Sequence, residues 1–198
     1  MVNRRSFLMA STAMAGLSLT GCAGSARPSG WITLVDGTQV PSNWRALGDG
    51  QWSVVDGTLQ GKNGKAGYLV TPDAYSDFEI RAEFWADEQA NSGIFIRCQD
   101  PQKVGANNSY EVNIWDQRPD LTYGTGAIVD FAAVNTPYPK VANRWNVYEI
   151  MARGDRIVVT LNGRQTADLV RAQWRSGPIA LQSAGGTIRF RSVLIRHM

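Results

Sequence analysis

The amino-acid sequence predicts an all-β fold, a two-sheet antiparallel sandwich of jelly-roll type. Three observations carry that prediction. From Trp31 onward apolar and polar residues alternate with period two, the spacing of half-buried strands. Turn pairs punctuate the alternation at Asp36-Gly37, Asp56-Gly57, Asn162-Gly163 and Gly185-Gly186. No window carries an amphipathic helix longer than a few turns.

The expected strands follow in order. Trp31–Val35 and Trp52–Val55 each run into an Asp-Gly step, where glycine accepts the positive φ of a tight turn. In Phe78–Phe84, the residues Phe78, Ile80, Ala82 and Phe84 face one way and Glu79, Arg81 and Glu83 the other. Gly93–Arg97 comes next. In Tyr110–Trp115, Tyr110, Val112 and Ile114 share the core face, with Glu111, Asn113 and Trp115 opposite. Trp145–Met151 and Arg156–Leu161 are joined by a turn at Arg153-Gly154-Asp155. Leu161-Asn162-Gly163-Arg164 is the strongest hairpin signal, because Asn-Gly suits both central positions of a type I′ turn. Pro178–Gln182 and Thr187–Ile195 close the chain. The stretches 100–108 and 117–144 are long loops, and loops on a rigid sandwich often carry binding residues.

At 198 residues and 43% hydrophobic, the chain suits one domain that needs neither disulfide nor metal to hold it. Its net charge is +3. Arg4 and Arg5 are the only charged residues before Cys22, so a chain processed there keeps 18 basic and 17 acidic residues. No basic patch stands out, which argues against a nucleic-acid partner.

Residues 1–21 read as an export signal: a basic start, a short apolar run and small residues at the end. Arg4-Arg5-Ser6-Phe7-Leu8 resembles a twin-arginine signal, and Leu19-Thr20-Gly21-Cys22 resembles a bacterial lipobox with Cys22 as the acylated residue. Residues 22–30 form a short tether, and the globular domain is expected over 31–198. The expectation is an exported lipoprotein of the cell envelope on the periplasmic side. Ala23 after the cysteine favours the outer membrane. Cys98, in a strand-like run, reads as a buried inert thiol.

Glu111 and Asn113, two residues apart on one strand, are the leading polar pair. Arg97 shares a face with Phe95 and is either a ligand-binding cation or the partner of Glu79 or Glu83. Asp116 lies five residues from Glu111 and reaches the same face only through a bulge or the strand end. A retaining glycosidase needs two carboxylates about 5 Å apart, and this stretch offers one. Trp115, Tyr123 and Tyr138 have aromatic faces suited to stacking on a ligand. No His or Cys cluster has transition-metal spacing, and the only histidine, His197, sits at an end expected to fray.

An ordered set of short motifs resembles the bacterial 3-keto-disaccharide hydrolase domain family. It includes Leu34-Val-Asp-Gly37, Asp77-Phe-Glu-Ile80, Asn91-Ser-Gly-Ile-Phe-Ile-Arg97, Tyr110-Glu-Val-Asn-Ile114, Thr125-Gly-Ala-Ile128, Trp145-Asn-Val-Tyr-Glu-Ile150 and Gly177-Pro-Ile-Ala-Leu-Gln182. The resemblance spans about Trp31 to Arg196 and implies a concanavalin- or laminin-G-like jelly roll. It implies cleavage of glycosides already oxidised to a ketone at C3, with an upstream glycoside 3-dehydrogenase as supplier. On that reading Glu111 is the base or a metal ligand, and Arg97, Asn113, Gln182 and Trp115 contact substrate. Asn113 stands where the family motif has Gln, and Ala184 stands where the pattern has His. The group that holds the enolate oxygen is an arginine, an amide or a divalent metal. The alternative is a carbohydrate-binding lipoprotein of the same fold without catalysis.

Overall fold

The computed structural model describes residues 30–198. Its strands are β1 (Ile32–Val35), β2 (Arg45–Leu47), β3 (Gln51–Val55), β4 (Thr58–Lys62), β5 (Gly67–Val70), β6 (Phe78–Ala86), β7 (Ser92–Ile96), β8 (Tyr110–Ile114), β9 (Trp145–Arg153), β10 (Arg156–Leu161), β11 (Arg164–Leu169), β12 (Ala180–Ser183) and β13 (Thr187–His197). They pair into an eight-stranded sheet, ordered β11-β10-β9-β6-β13-β4-β3 with β1 also on β13, and a five-stranded sheet, ordered β2-β5-β12-β7-β8. The expected two-sheet antiparallel sandwich is therefore the fold. The export signal, the lipobox and Cys22 lie outside the described residues.

The core forms where the inner faces meet. On β6, Phe78, Ile80, Ala82 and Phe84 are buried, while Glu79, Arg81 and Glu83 face outward. Phe84 stacks on Tyr148 of β9 with ring centroids 5.0 Å apart, worth about 1 kcal/mol beyond the area buried. The Tyr148 hydroxyl crosses the core and donates to the Asn113 carbonyl of β8 at 2.6 Å, tying the sheets together. At the β10–β11 hairpin, Asn162 and Gly163 both have positive φ, as a type I′ turn requires.

Strands β2, β4 and β5 are additions to the sequence reading. Glycine is depleted in strands, and β4 contains Gly61 while β5 begins with Gly67. The reason for these glycines is tertiary. A Cβ on Gly61 would lie 2.8 Å from the Trp52 ring, and one on Gly67 would lie 2.3 Å from the Gly50 backbone. The layers close tightly at this end because those side chains are absent. The end of β13 also differs from expectation. His197 pairs with Phe78 and packs on Tyr75, centroids 5.7 Å apart, so the strand is ordered to its last turn.

Arg97 departs furthest from its sequence assignment. β7 ends at Ile96, and Arg97 takes a φ of +53°, which turns its side chain away from the Phe95 face. The guanidinium is fully buried at the end of the sandwich. It donates to the carbonyls of Ser76 at 2.6 and 3.1 Å, Gly154 at 2.8 Å and Trp174 at 3.0 Å, with Asp77 at 3.4 Å. Three loops are pinned by one planar fork, and none of its nitrogens faces a substrate. Lysine offers a point charge and cannot span three carbonyls. Arg97→Lys is therefore expected to lower the unfolding free energy by about 2–4 kcal/mol, read by urea denaturation, because buried carbonyls lose their donors.

Candidate active site

The alternation on β8 builds the site. All five of its residues are buried. Tyr110, Val112 and Ile114 join the main core, while Glu111 and Asn113 point to the outer face of the five-stranded sheet. β8 is not a bare edge. Val129 donates to the Glu111 carbonyl at 3.0 Å, the Asn113 amide donates to the Ala127 carbonyl at 3.1 Å, and the Gly126 amide donates to the Asn113 carbonyl at 3.0 Å. The 126–129 segment thus covers the outer margin of the strand.

Cross-strand register sets the neighbours. Glu111 lies opposite Phe95, Phe95 opposite Ala180, and Ala180 opposite Val70. Phe95, Ala180 and Val70 form a second apolar cluster with Cys98 under Val104. One rung along, Asn113 lies opposite Gly93, and Gln182 lies opposite Tyr68. The β7–β12 register places Gly93 beside Gln182. Glycine leaves the floor open there. A Cβ on Gly93 would sit 3.1 Å from Glu111 Cγ and 3.2 Å from its Oε1, so the carboxyl leans over Gly93.

Burial dominates the electrostatics. Glu111 is 8% exposed, and this desolvation pushes its carboxyl up to about 7. The Arg118 guanidinium opposes the rise and the Asp130 charge adds to it. Arg118 lies over the Trp115 ring, 5.6 Å from its centroid, just past the end of β8. Trp115 is half-buried there, its backbone N–H held by Thr125 Oγ1 at 2.9 Å. Burial also raises the Tyr68 phenol, opposed by its hydrogen bond with Gln182 and reinforced by the Glu111 charge.

The other nominated residues divide. Gln182 is buried and donates through Nε2 to the Tyr68 hydroxyl at 3.4 Å, while its Oε1 has no partner. Asn113 donates through Nδ2 to the Tyr123 carbonyl at 2.7 Å, which anchors the long 117–144 segment, and its Oδ1 is likewise unpartnered. Asp116 does not join Glu111. Its carboxylate accepts from Thr125 Oγ1 at 2.7 Å and from the Val141 and Ala142 amides at 2.8 and 3.0 Å. Cys98 is buried with its thiol pushed up to about 12 by desolvation, an inert group. Ala184 pairs with Asn91, its amide donating to the Asn91 carbonyl at 2.9 Å next to the Gln182 strand. Tyr68, Arg118, Asp130 and the gap at Gly93 escaped the sequence reading. Period two in Gly67-Tyr-Leu-Val70 is a usable signal for Tyr68, but nothing local pairs it with Gln182.

Among the described residues no three His, Cys, Asp or Glu side chains gather as a metal site. The donors around Glu111 are amide and phenol oxygens, which do not match the nitrogen and sulfur set of a zinc centre. A hollow of about 360 Å³ between β1, the 36–44 loop and Tyr75 contains none of the nominated residues.

The model of the 3-keto-alpha-glucoside-1,2-lyase-like domain matches residues 30–196. The chain belongs to this family. A 3-keto-disaccharide hydrolase of Bacteroides thetaiotaomicron is 23% identical over 177 residues, covering 73% of this chain and 61% of that relative. The chain thus spans under two thirds of that relative's length. Among solved structures, a Parabacteroides distasonis protein superposes with a TM-score of 0.74 at 19% identity, covering 85% of this chain and 94% of that one. A carbohydrate-binding module of Bacillus subtilis superposes at 0.57 with 18% identity, over 84% and 95%. A β-glucanase of Bacillus licheniformis superposes at 0.61 with 12% identity, over 85% and 99%. These three likenesses show the jelly-roll fold of this chain.

The raised carboxyl has a stability signature. A pKa raised on folding favours the native state below the ordinary value of 4.5, and that contribution is lost as pH rises through about 7. Replacing Glu111 by Gln removes the cost of ionising a buried group. Relative to wild type, Glu111→Gln is expected to gain about 3 kcal/mol between pH 4 and pH 8.5. Thermal unfolding at the two pH values reads the change.

Proposed function

We propose that this protein cleaves glycosides carrying a ketone at C3 of the sugar, and that Glu111 is the base. The ketone acidifies the C2 proton. A carboxylate takes it, an enolate forms, and the C1 substituent leaves as the C1–C2 double bond forms. Water then adds across that bond. This chemistry needs one base beside an acid for the leaving oxygen, rather than the paired carboxylates of a direct glycosidase. The observation that carries the reading is the single carboxyl of Glu111, drawn over the Gly93 gap and raised by burial to near neutrality, where a base works best.

The neighbours suit this task. Arg118 supplies positive charge near the carboxyl, in place of the buried Arg97. Gln182 and Trp115 supply an amide and an aromatic face for sugar hydroxyls and ring carbons. Asn113 acts chiefly through its bond to the Tyr123 carbonyl, holding the wall of the site. The pure carbohydrate-binding reading draws on Ala184, which puts a methyl group where the family pattern has His.

Purified domain with a 3-keto-disaccharide is expected to release the second sugar, and to release none from the unoxidised disaccharide. Glu111→Gln should cost about 10²- to 10⁴-fold in kcat, and the wild-type rate should rise with pH through about 7 as the base ionises. Binding without release by the wild-type domain would sink the enzyme reading. The N-terminal motifs support a second proposal, a lipid anchor at Cys22. Cys22→Ser in the full chain should move the protein from the membrane to the soluble fraction, since two or more acyl chains give stable attachment and none gives little.

A further inference from the structure

We infer that Tyr68 is the general acid of this site, handing its hydroxyl proton to the departing C1 oxygen. The inference rests on the elimination reading above. Tyr68, Gln182, Gly93 and Asn113 occupy successive strands on one rung of the sheet's outer face. Glu111 leans into that rung over Gly93. Tyr68 and Gly93 are two strand spacings apart, about 9–10 Å at the backbone. On this inference the pyranose ring lies across that spacing, with the carboxyl on one side and the phenol on the other.

The phenol is held for this use. Its ring meets Phe95 edge-on, centroids 5.4 Å apart and planes at 86°. Its oxygen accepts from Gln182 Nε2, so the hydroxyl proton itself has no acceptor among the described residues. Tyr68 is half-buried, which leaves the hydroxyl within reach of a ligand. Burial raises its pKa, so it keeps its proton above pH 7 while Glu111 is ionised. Asp116 is committed to the 141–142 backbone, Cys98 packs in the apolar cluster with Val104, and His197 lies on the opposite sheet.

The step balances. Glu111 takes the C2 proton, the C2–H electron pair is held as the enolate, and it then forms the C1–C2 double bond as the C1–O bond breaks. The leaving oxygen keeps the bonding pair and takes the Tyr68 proton. When water adds, its hydroxyl goes to C1, the Glu111 proton returns to C2, and the remaining water proton restores Tyr68.

A general acid matters most when the leaving group is poor. Tyr68→Phe keeps the ring and its Phe95 contact. It should slow release of a sugar from a 3-keto-disaccharide by about 10²- to 10⁴-fold, yet stay within about tenfold of wild type on 4-nitrophenyl 3-keto-glucoside, whose phenolate leaves unaided. Glu111→Gln should slow both substrates. Equal losses of Tyr68→Phe on the two substrates would make Tyr68 a positioning residue, and an undiminished rate on the disaccharide would overturn its role outright. Wild-type inactivity on both substrates would instead overturn the elimination itself.

Discussion

Strand β8 is buried on both faces, and the site depends on that constraint. One face supplies Tyr110, Val112 and Ile114 to the core, so the strand cannot slip by a residue without exposing them. The same register forces Glu111 onto the outer face, between Phe95 and the 126–129 segment. The Tyr148 hydroxyl and the Gly126 amide both satisfy the Asn113 carbonyl, which fixes the strand against the opposite sheet and its own margin. A carboxyl held this way is left only 8% exposed. Its raised pKa is thus a consequence of core packing behind it.

The ends of the sandwich are closed by two charged groups that do no chemistry. Arg97 gathers the 76–77, 154 and 174 loops with its planar fork. Asp116 gathers Thr125 and the 141–142 backbone with its two oxygens. Each satisfies buried backbone groups that the sheets cannot reach, which long loops on a β-sandwich require. Rigid ends keep the open rung of Tyr68, Gln182, Gly93 and Asn113 in place between them. The acid and base proposed for the elimination stand on regular strands, where cross-strand spacing sets their separation.

The missed strands and the misassigned arginine have the same origin. β4 and β5 carry glycines that weaken a local strand signal, yet those glycines are what let Trp52, Gly50 and Ser183 pack across the layers. Arg97 follows an alternating run, so period two predicts an outward side chain. One positive φ after Ile96 cancels that prediction. In both cases the deciding contact comes from a residue distant in sequence, which a local pattern does not contain.

By itself, the sequence determined the strand alternation, the Asn162-Gly163 hairpin and the shared face of Glu111 and Asn113. These follow from side-chain period and turn stereochemistry, which act over a few residues. Only the tertiary structure decided that Arg97 is a buried clamp, that Glu111 overhangs Gly93, and that Tyr68 meets Gln182. Those outcomes depend on which strands pair and in what register, and residues 68, 93, 111 and 182 become neighbours only when the five-stranded sheet assembles.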